Sequence, residues 1–190
     1  LEALEIGRRI GERVIVIGTS TGATMATIAL ADPDAARNVA GLVAISPNYA
    51  VKGAPLAVLT APLARQILPL AFGAERSWEP LNEAQAKWWT TSYPLAAILP
   101  MAAAVKEARS IAVEDIAAPA LFIFNDGDQV VDHAMTREIA ARWGGPASLE
   151  IVEPGPDDTP FKHVVAGDIL SPGLTDEVTA ILLGWIEILR

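Results

Sequence analysis

A serine flanked by small residues, in the segment Gly-Thr-Ser-Thr-Gly at 18–22, is the first place where this sequence offers chemistry. An apolar run rich in β-branched residues precedes the segment, and a stretch with helical character follows it. A strand that turns sharply into a helix here would present Ser20 as a nucleophile, and Gly18 and Gly22 would leave room for the turn. The backbone N–H of Thr21, at the start of the helix, would then donate to an oxyanion. The simpler alternative is a glycine-rich corner with an incidental serine.

A serine hydroxyl is a weak nucleophile until an imidazole removes its proton, and the chain has only two histidines. His133 lies in a segment with the pattern of a helix start, where a surface or capping role suits it. His163 lies in a loop between the last predicted strand and the last predicted helix. Because parallel strands end at one edge of a sheet, we predict that His163 lies beside Ser20.

The imidazole in turn needs a carboxylate that holds its tautomer and stabilises its charged form. Three acids follow the third predicted strand: Asp126, Asp128 and Asp132. Their spacing could also suggest calcium ligation, but the rest of a twelve-residue calcium loop is missing, so we predict no metal site. The residues alone leave the choice among the three acids open.

Short apolar runs alternate with segments of helical spacing, which indicates an α/β fold with a parallel sheet flanked by helices. The predicted buried strands are 14–18, 39–46, 119–125 and 147–153. The predicted helices are one at the start of the chain, 21–30, about 133–143 and 174–189. Thr175 is the predicted N-cap of the last helix.

Residues 47–113 interrupt this alternation, with several prolines, helical pieces rich in Ala and Leu, and no clear strand. Four of the chain's large amphipathic rings fall here: Trp78, Trp88, Trp89 and Tyr93. We interpret 47–113 as a helical cap inserted over the edge of a core formed by 1–46 and 114–190. The first core segment would carry the nucleophile, and the second the acid and the histidine.

Composition excludes several classes of partner. The 190 residues carry a formal charge of −9, which would repel a phosphate backbone, so nucleic acid is not a predicted partner. The absence of cysteine rules out disulfides and thiolate chemistry. The most apolar long stretch, 54–72, contains Arg65 and three prolines, so we predict no membrane span. Hydrophobic residues make up 52% of the chain, a surplus that would permit a homodimer through the cap.

The chain opens at Leu1, directly inside an amphipathic helical pattern and without a methionine. We therefore expect these residues to be part of a longer protein. Any signal peptide would lie upstream of Leu1, and a cytoplasmic location is the working prediction.

The order serine, acid, histidine, each after a successive strand, resembles the α/β-hydrolase superfamily. "GTSTG" resembles its nucleophile elbow, "PALFIFNDGDQVVD" its acid-bearing segment, and "HVVAGD" the histidine loop of capped serine esterases and monoglyceride-lipase-like hydrolases. The resemblance covers essentially the whole chain and implies Asp128 as the acid. A serine at the elbow argues against haloalkane dehalogenases, which use an aspartate there. The family's early strands, and the loop with the second oxyanion donor, do not appear in these residues.

The resemblance implies a carboxylesterase or lipase-like enzyme that needs no cofactor and cleaves a small-molecule ester through an acyl-enzyme. The four cap rings and Met101 would wall an apolar acyl pocket, or would simply pack the cap onto the sheet. Hydrolysis of an amide, a thioester or a C–C bond on the same scaffold is one alternative. A non-catalytic binding module with this fold is another.

Overall fold

The computed structural model describes residues 1–53 and 55–189. Its strands are β1 (Val14–Thr19), β2 (Val39–Ile45), β3 (Glu75–Ser77), β4 (Ser92–Pro94), β5 (Ala120–Phe124) and β6 (Ala147–Ile151). Its helices are α1 (Glu2–Ile10), α2 (Thr21–Leu30), α3 (Pro33–Ala36), α4 (Leu56–Leu59), α5 (Ala64–Phe72), α6 (Glu83–Trp88), α7 (Ile98–Ser110), α8 (His133–Arg142) and α9 (Thr175–Ile188). Short 3₁₀ turns span Leu95–Ala97, Val113–Asp115 and Pro172–Leu174.

Four strands form one parallel sheet in the order β1–β2–β5–β6, which confirms the predicted parallel α/β architecture. Thr19, Ile45 and Ile123 lie side by side across the first three strands. Phe124 at the end of β5 is paired with Ile151 at the end of β6. The carboxyl ends of all four strands therefore meet at one edge, which is where an open parallel sheet carries its site.

The alternation of side chains along β2 and β5 divides the interior into two apolar cores. Leu42 on β2 and Phe122 on β5 face the core that also contains residues of α2 and α8. Val43 and Leu121, each adjacent to one of these residues along its strand, face the core closed by α9. Both faces of these central strands are covered, which explains why they are continuous apolar runs in the sequence.

Residues 47–113 contribute no strand to this parallel sheet in the described part of the chain. They contain helices α4 to α7 and a small antiparallel pair, β3 with β4. The sequence shows no clear strand in 47–113, yet the structure forms this short pair there. Both strands of this pair are three residues long and mostly exposed, so no apolar alternation in the sequence marks them.

The start of the last helix also differs from the prediction. Thr175 is the first residue of α9 and the N-cap position belongs to Leu174, because a 3₁₀ turn runs directly into the helix. The Thr175 hydroxyl instead accepts a hydrogen bond from Gly167 N–H and donates one to Ser171 O, at 2.9 and 3.1 Å. Thr175 thus ties the loop after β6 to the helix that follows it.

No helix in the described ranges combines the length and the apolar character needed to cross a bilayer.

Candidate active site

Ser20 occupies the corner between β1 and α2 in a backbone conformation that few non-glycine residues adopt, with φ 52° and ψ −120°. Strain of this kind costs about 1–3 kcal/mol and persists only where the surroundings impose it. Here the Ser20 N–H donates to Ile45 O at 2.9 Å. The Ser20 carbonyl accepts from the N–H groups of Ala23 and Asn48, both at 3.1 Å. The adjacent strand and the loop after it therefore hold the corner in place.

The two glycines beside Ser20 have different roles. A Cβ atom on Gly18 would lie 2.7 Å from the backbone N and Cα of Ala23, so β1 can approach α2 this closely only with glycine there. A Cβ atom on Gly22 would meet nothing within 4 Å. The expectation that both positions must be small is therefore wrong for Gly22, which lies exposed in the first turn of α2.

The structure brings three of the predicted site residues into one hydrogen-bonded chain. His163 Nε2 lies 3.0 Å from Ser20 Oγ, and His163 Nδ1 lies 2.7 Å from Asp128 Oδ2. The side chains of His163 and Asp128 are 13% and 1% exposed. In the tautomer that fits these contacts, Nδ1–H donates to Asp128 and the Nε2 lone pair faces the serine hydroxyl.

The other two candidate acids have different partners. Asp126 contacts the Arg137 guanidinium at 2.7 Å, and the Asp132 side chain accepts from Ala134 N–H at the start of α8. His133 is the first residue of α8, and its ring is stacked on Phe124. Three acids that share one loop thus serve three separate interactions.

The Asp128 carboxylate is oriented by its own loop. Its Oδ1 accepts from the N–H groups of Val130 and Val131, at 2.7 and 3.0 Å, which leaves Oδ2 for His163. Lys52 Nζ donates to the Asp128 carbonyl at 2.8 Å. With both carboxylate oxygens bonded, the group presents a fixed acceptor to the imidazole.

The loop that carries Asp128 is bound to the loop that carries His163. Gln129 N–H donates to Phe161 O at 2.9 Å, and the Gln129 side chain donates to Pro160 O at 3.1 Å. Lys162, which has a positive φ of 55°, forms an ion pair with Glu153. The hydrogen bond from Lys162 lowers the pKa of the Glu153 carboxyl below its ordinary value of 4.5.

Thr21, the predicted oxyanion donor, lies directly after the serine at the start of α2. No residue in the described part of the chain accepts a hydrogen bond from its backbone N–H. A free N–H at a helix start can bind a developing negative charge.

Asn48 is a site residue that sequence reasoning missed. Its side-chain nitrogen lies 3.3 Å from Thr21 Oγ1 and 3.2 Å from Met101 Sδ, so it connects the serine corner to α7. Its carbonyl accepts from Thr24 Oγ1 at 2.6 Å. The signal was its position, because Asn48 follows β2 at the same edge of the sheet where Ser20 follows β1.

Of the five residues predicted to line an acyl pocket, only Met101 is connected to the corner, through Asn48. Trp78 and Tyr93 pack edge to face with ring centroids 5.7 Å apart. Lys87 Nζ lies 4.7 Å from the ring of Trp88. Trp89 is partly exposed. Within residues 1–53 and 55–189, no hydrogen bond, ion pair or ring contact joins these four rings to Ser20 or His163.

No group of three or more His, Cys, Asp or Glu side chains in the described ranges is arranged to hold a metal ion. The three acids of the loop after β5 are each directed to a different partner.

A parallel sheet with a strained serine corner at its carboxyl edge is the arrangement that a nucleophile elbow requires. The model of the alpha/beta hydrolase family matches residues 1–167. The chain belongs to this family. No curated protein matches the chain by sequence.

Solved structures show the same fold at low sequence identity. A structure reported for LipS and LipT, two metagenome-derived lipolytic enzymes, is 19% identical, with a TM-score of 0.71 over 100% of this chain and 69% of its own. The monoacylglycerol lipase of Paleococcus ferrophilus is 18% identical, with a TM-score of 0.71 over 100% of this chain and 75% of its own. A soluble variant of Saccharomyces cerevisiae monoglyceride lipase is 11% identical, with a TM-score of 0.66 over 100% and 66%.

Proposed function

We propose that the protein is a serine hydrolase of the carboxylesterase or lipase type, which cleaves carboxylic esters through an acyl-enzyme on Ser20. The observation that carries the proposal is the unbroken hydrogen-bond chain from Asp128 through His163 to Ser20. Its location at the carboxyl edge of the sheet and the lipolytic fold neighbours support the same assignment.

In the first step, Ser20 Oγ attacks the ester carbonyl carbon and its proton passes to His163 Nε2, 3.0 Å away. The imidazolium that forms is stabilised by Asp128 Oδ2, which accepts from Nδ1–H. The carbonyl oxygen becomes an oxyanion, to which the Thr21 N–H donates. Loss of one such donor typically costs about 10²–10³ in rate.

Collapse of the tetrahedral intermediate breaks the bond between the carbonyl carbon and the leaving oxygen. His163 returns its proton to that oxygen, and the alcohol departs from the acyl-enzyme. Water then attacks the acyl carbon while His163 Nε2 accepts its proton, and the second collapse releases the acid and restores Ser20. The cycle consumes one water and needs no cofactor.

We further propose that 47–113 acts as a cap and that the acyl group of the substrate is apolar. Met101 supports this because it is apolar and lies against Asn48, which itself contacts Thr21 beside the serine. Trp78, Trp88, Trp89 and Tyr93 would complete the acyl wall once a substrate is bound. We also propose a cytoplasmic location and a homodimer formed through the cap.

The test is a panel of p-nitrophenyl esters of increasing acyl length, compared with the corresponding aryl amides. We expect ester hydrolysis that improves from acetate to medium-chain acyl groups, little amide hydrolysis, and loss of activity in Ser20→Ala. Faster hydrolysis of the amides than of the esters would instead assign the protein to another class of serine-dependent acyl hydrolase. No hydrolysis of any ester by the folded protein would contradict the proposal.

A further inference from the structure

Helix α5 presents one apolar face to solvent. Leu63, just before the helix, and Ile67 and Leu70 within it are spaced four and three residues apart, so they share a face. They are 64%, 54% and 88% exposed. Ala64 and Leu68, on the neighbouring side of α5, are buried with other residues of the cap, whereas Phe72 at the end of the helix is also 72% exposed.

Cations lie near the Leu63 end of this face. A groove of about 610 Å³ between α5 and α7 is lined by Leu63, Arg65, Lys106 and Glu107, among others. A second groove of about 690 Å³ adjoins it and is lined by Lys106 and Arg109. None of the three cations forms an ion pair in the described part of the chain, and Glu107 is the acid nearest to them along α7.

The charge of this region is opposite to that of the rest of the protein. Residues 47–113 contain six Lys or Arg, four Glu and no Asp, for a formal charge of +2. Since the whole chain carries −9, the residues outside 47–113 carry −11. An anionic surface would therefore repel the core and attract the cap, which orients the molecule before contact.

We propose that an α5–α7 surface, formed by Leu63, Ile67 and Leu70 together with Lys106 and Arg109 of α7, docks the protein on an anionic lipid bilayer. The three apolar side chains would enter the boundary between headgroups and acyl chains, as the apolar faces of interfacial helices do. Lys106 and Arg109 would contact lipid phosphates. Docking does not require the chemistry of Ser20, so it stands or fails separately from the proposed hydrolysis.

The experiment is co-sedimentation of the protein with vesicles of phosphatidylcholine alone or mixed with phosphatidylglycerol. We expect binding to the mixed vesicles that weakens with added salt. Each cation near an anionic membrane contributes roughly fivefold in affinity, so Lys106→Gln with Arg109→Gln should weaken binding about 25-fold. Ile67→Ser with Leu70→Ser should weaken it at least about tenfold.

Matched controls exist on other surfaces. Arg9→Gln with Arg37→Gln removes two exposed cations of the core, and Leu183→Ser with Ile188→Ser removes two exposed apolar side chains of α9. Both control pairs should bind mixed vesicles as the unaltered protein does. Thermal melting and hydrolysis of the soluble substrate p-nitrophenyl acetate report whether each variant is folded.

Three results would overturn the proposal. The first is equal binding to neutral and anionic vesicles, or none to either, by the folded protein. The second is that Ile67→Ser with Leu70→Ser leaves vesicle binding unchanged but raises the KM for a soluble long-chain ester. That result would assign the apolar face to the acyl pocket. The third is a monomer produced by the same pair from a dimeric protein, which would assign the face to a second copy. Vesicle binding by an inactive Ser20→Ala protein would support docking without any contribution from ester hydrolysis, so the two proposals can be tested separately.

Discussion

Replacing Asp128 with asparagine keeps the shape of the side chain but exchanges one oxygen for an amide nitrogen. In the protein, Oδ1 accepts from Val130 and Val131 N–H, and Oδ2 accepts from His163 Nδ1–H. The amide introduced by Asp128→Asn can place its oxygen toward the backbone or toward His163, and the two orientations have different costs.

With the amide oxygen toward Val130 and Val131, both backbone hydrogen bonds remain and the NH₂ group faces His163 Nδ1. That nitrogen must then accept, so the ring proton moves to Nε2, which can no longer take a proton from Ser20. The reverse orientation sets the NH₂ group against two backbone N–H groups. Each buried group left without a partner costs about 1–3 kcal/mol, so the inactive orientation is favoured by about 2 kcal/mol or more.

A preference of this size alone leaves roughly 3% of the molecules with the active tautomer. The lost negative charge beside the imidazolium adds to the penalty, and the same change in a Ser-His-Asp protease lowers kcat by about 10⁴. We therefore expect Asp128→Asn to lower kcat/KM for a p-nitrophenyl ester by about 10³–10⁴ while the melting temperature changes little.

Asp126→Asn is the matched control, because this acid lies in the same loop but pairs with Arg137 instead of the histidine. It should retain activity within about twofold, as expected for a surface substitution away from the site. More than a tenth of the activity in folded Asp128→Asn, or equal loss in both variants, would refute the assignment of the acid.

Further predictions concern the corner, the core and the loops. Gly18→Ala places a methyl group against the backbone of α2, and we expect it to lower kcat/KM at least about a hundredfold. Gly22→Ala should retain activity, because the added methyl group would meet only open space. An equal loss of activity in the two variants would contradict the packing argument. Burial raises the pKa of the Tyr49 hydroxyl, which bonds Thr27 Oγ1 at 2.7 Å. Because Thr27 also bonds a backbone carbonyl, Tyr49→Phe should lower the free energy of unfolding by only about 1 kcal/mol in urea, and a loss several times larger would be unexpected. The lowered pKa of Glu153 stabilises the fold above the unfolded pKa of that carboxyl and ceases to do so as pH falls through the folded pKa. Glu153→Gln should therefore have a lower urea midpoint than the unaltered protein at neutral pH. In acid below the folded pKa of Glu153, the two midpoints should be equal. A difference between the midpoints that does not change with pH would contradict this reasoning.

The parallel sheet and the corner were predictable because their signals are local. The continuous apolar run of β5 reflects a strand covered on both faces, whereas β1 was found from its β-branched residues although Ile17 is 54% exposed. The ends of these strands define the edge where Ser20 lies. His163 could be predicted by elimination, because the chain has only two histidines and the other one, His133, lies at a helix start. Asp128 was selected by resemblance, because nothing in the spacing of three loop acids tells which one faces the imidazole.

What the sequence could not supply depends on contacts between distant segments. Asn48 joins the corner to α7 across long sequence separations, and no local pattern marks such a bridge. The strand pair β3–β4 is too short and exposed to show alternation, and the 3₁₀ turn before α9 displaced the expected cap at Thr175. Gly22 shows the limit of a motif, because two identical glycines have different steric surroundings.

If the hydroxyl of Ser20 is a nucleophile activated by His163, a reagent that reacts with such serines should label it covalently. The protein is treated with a fluorophosphonate and the adduct is located by peptide mass spectrometry. Ser46→Ala is the matched control, because Ser46 also follows a strand and has a positive φ of 42°, but it is fully buried. We expect one adduct, on Ser20, which persists in Ser46→Ala and disappears in Ser20→Ala. A folded protein that takes up no label, or one that is still labelled after Ser20→Ala, would contradict it.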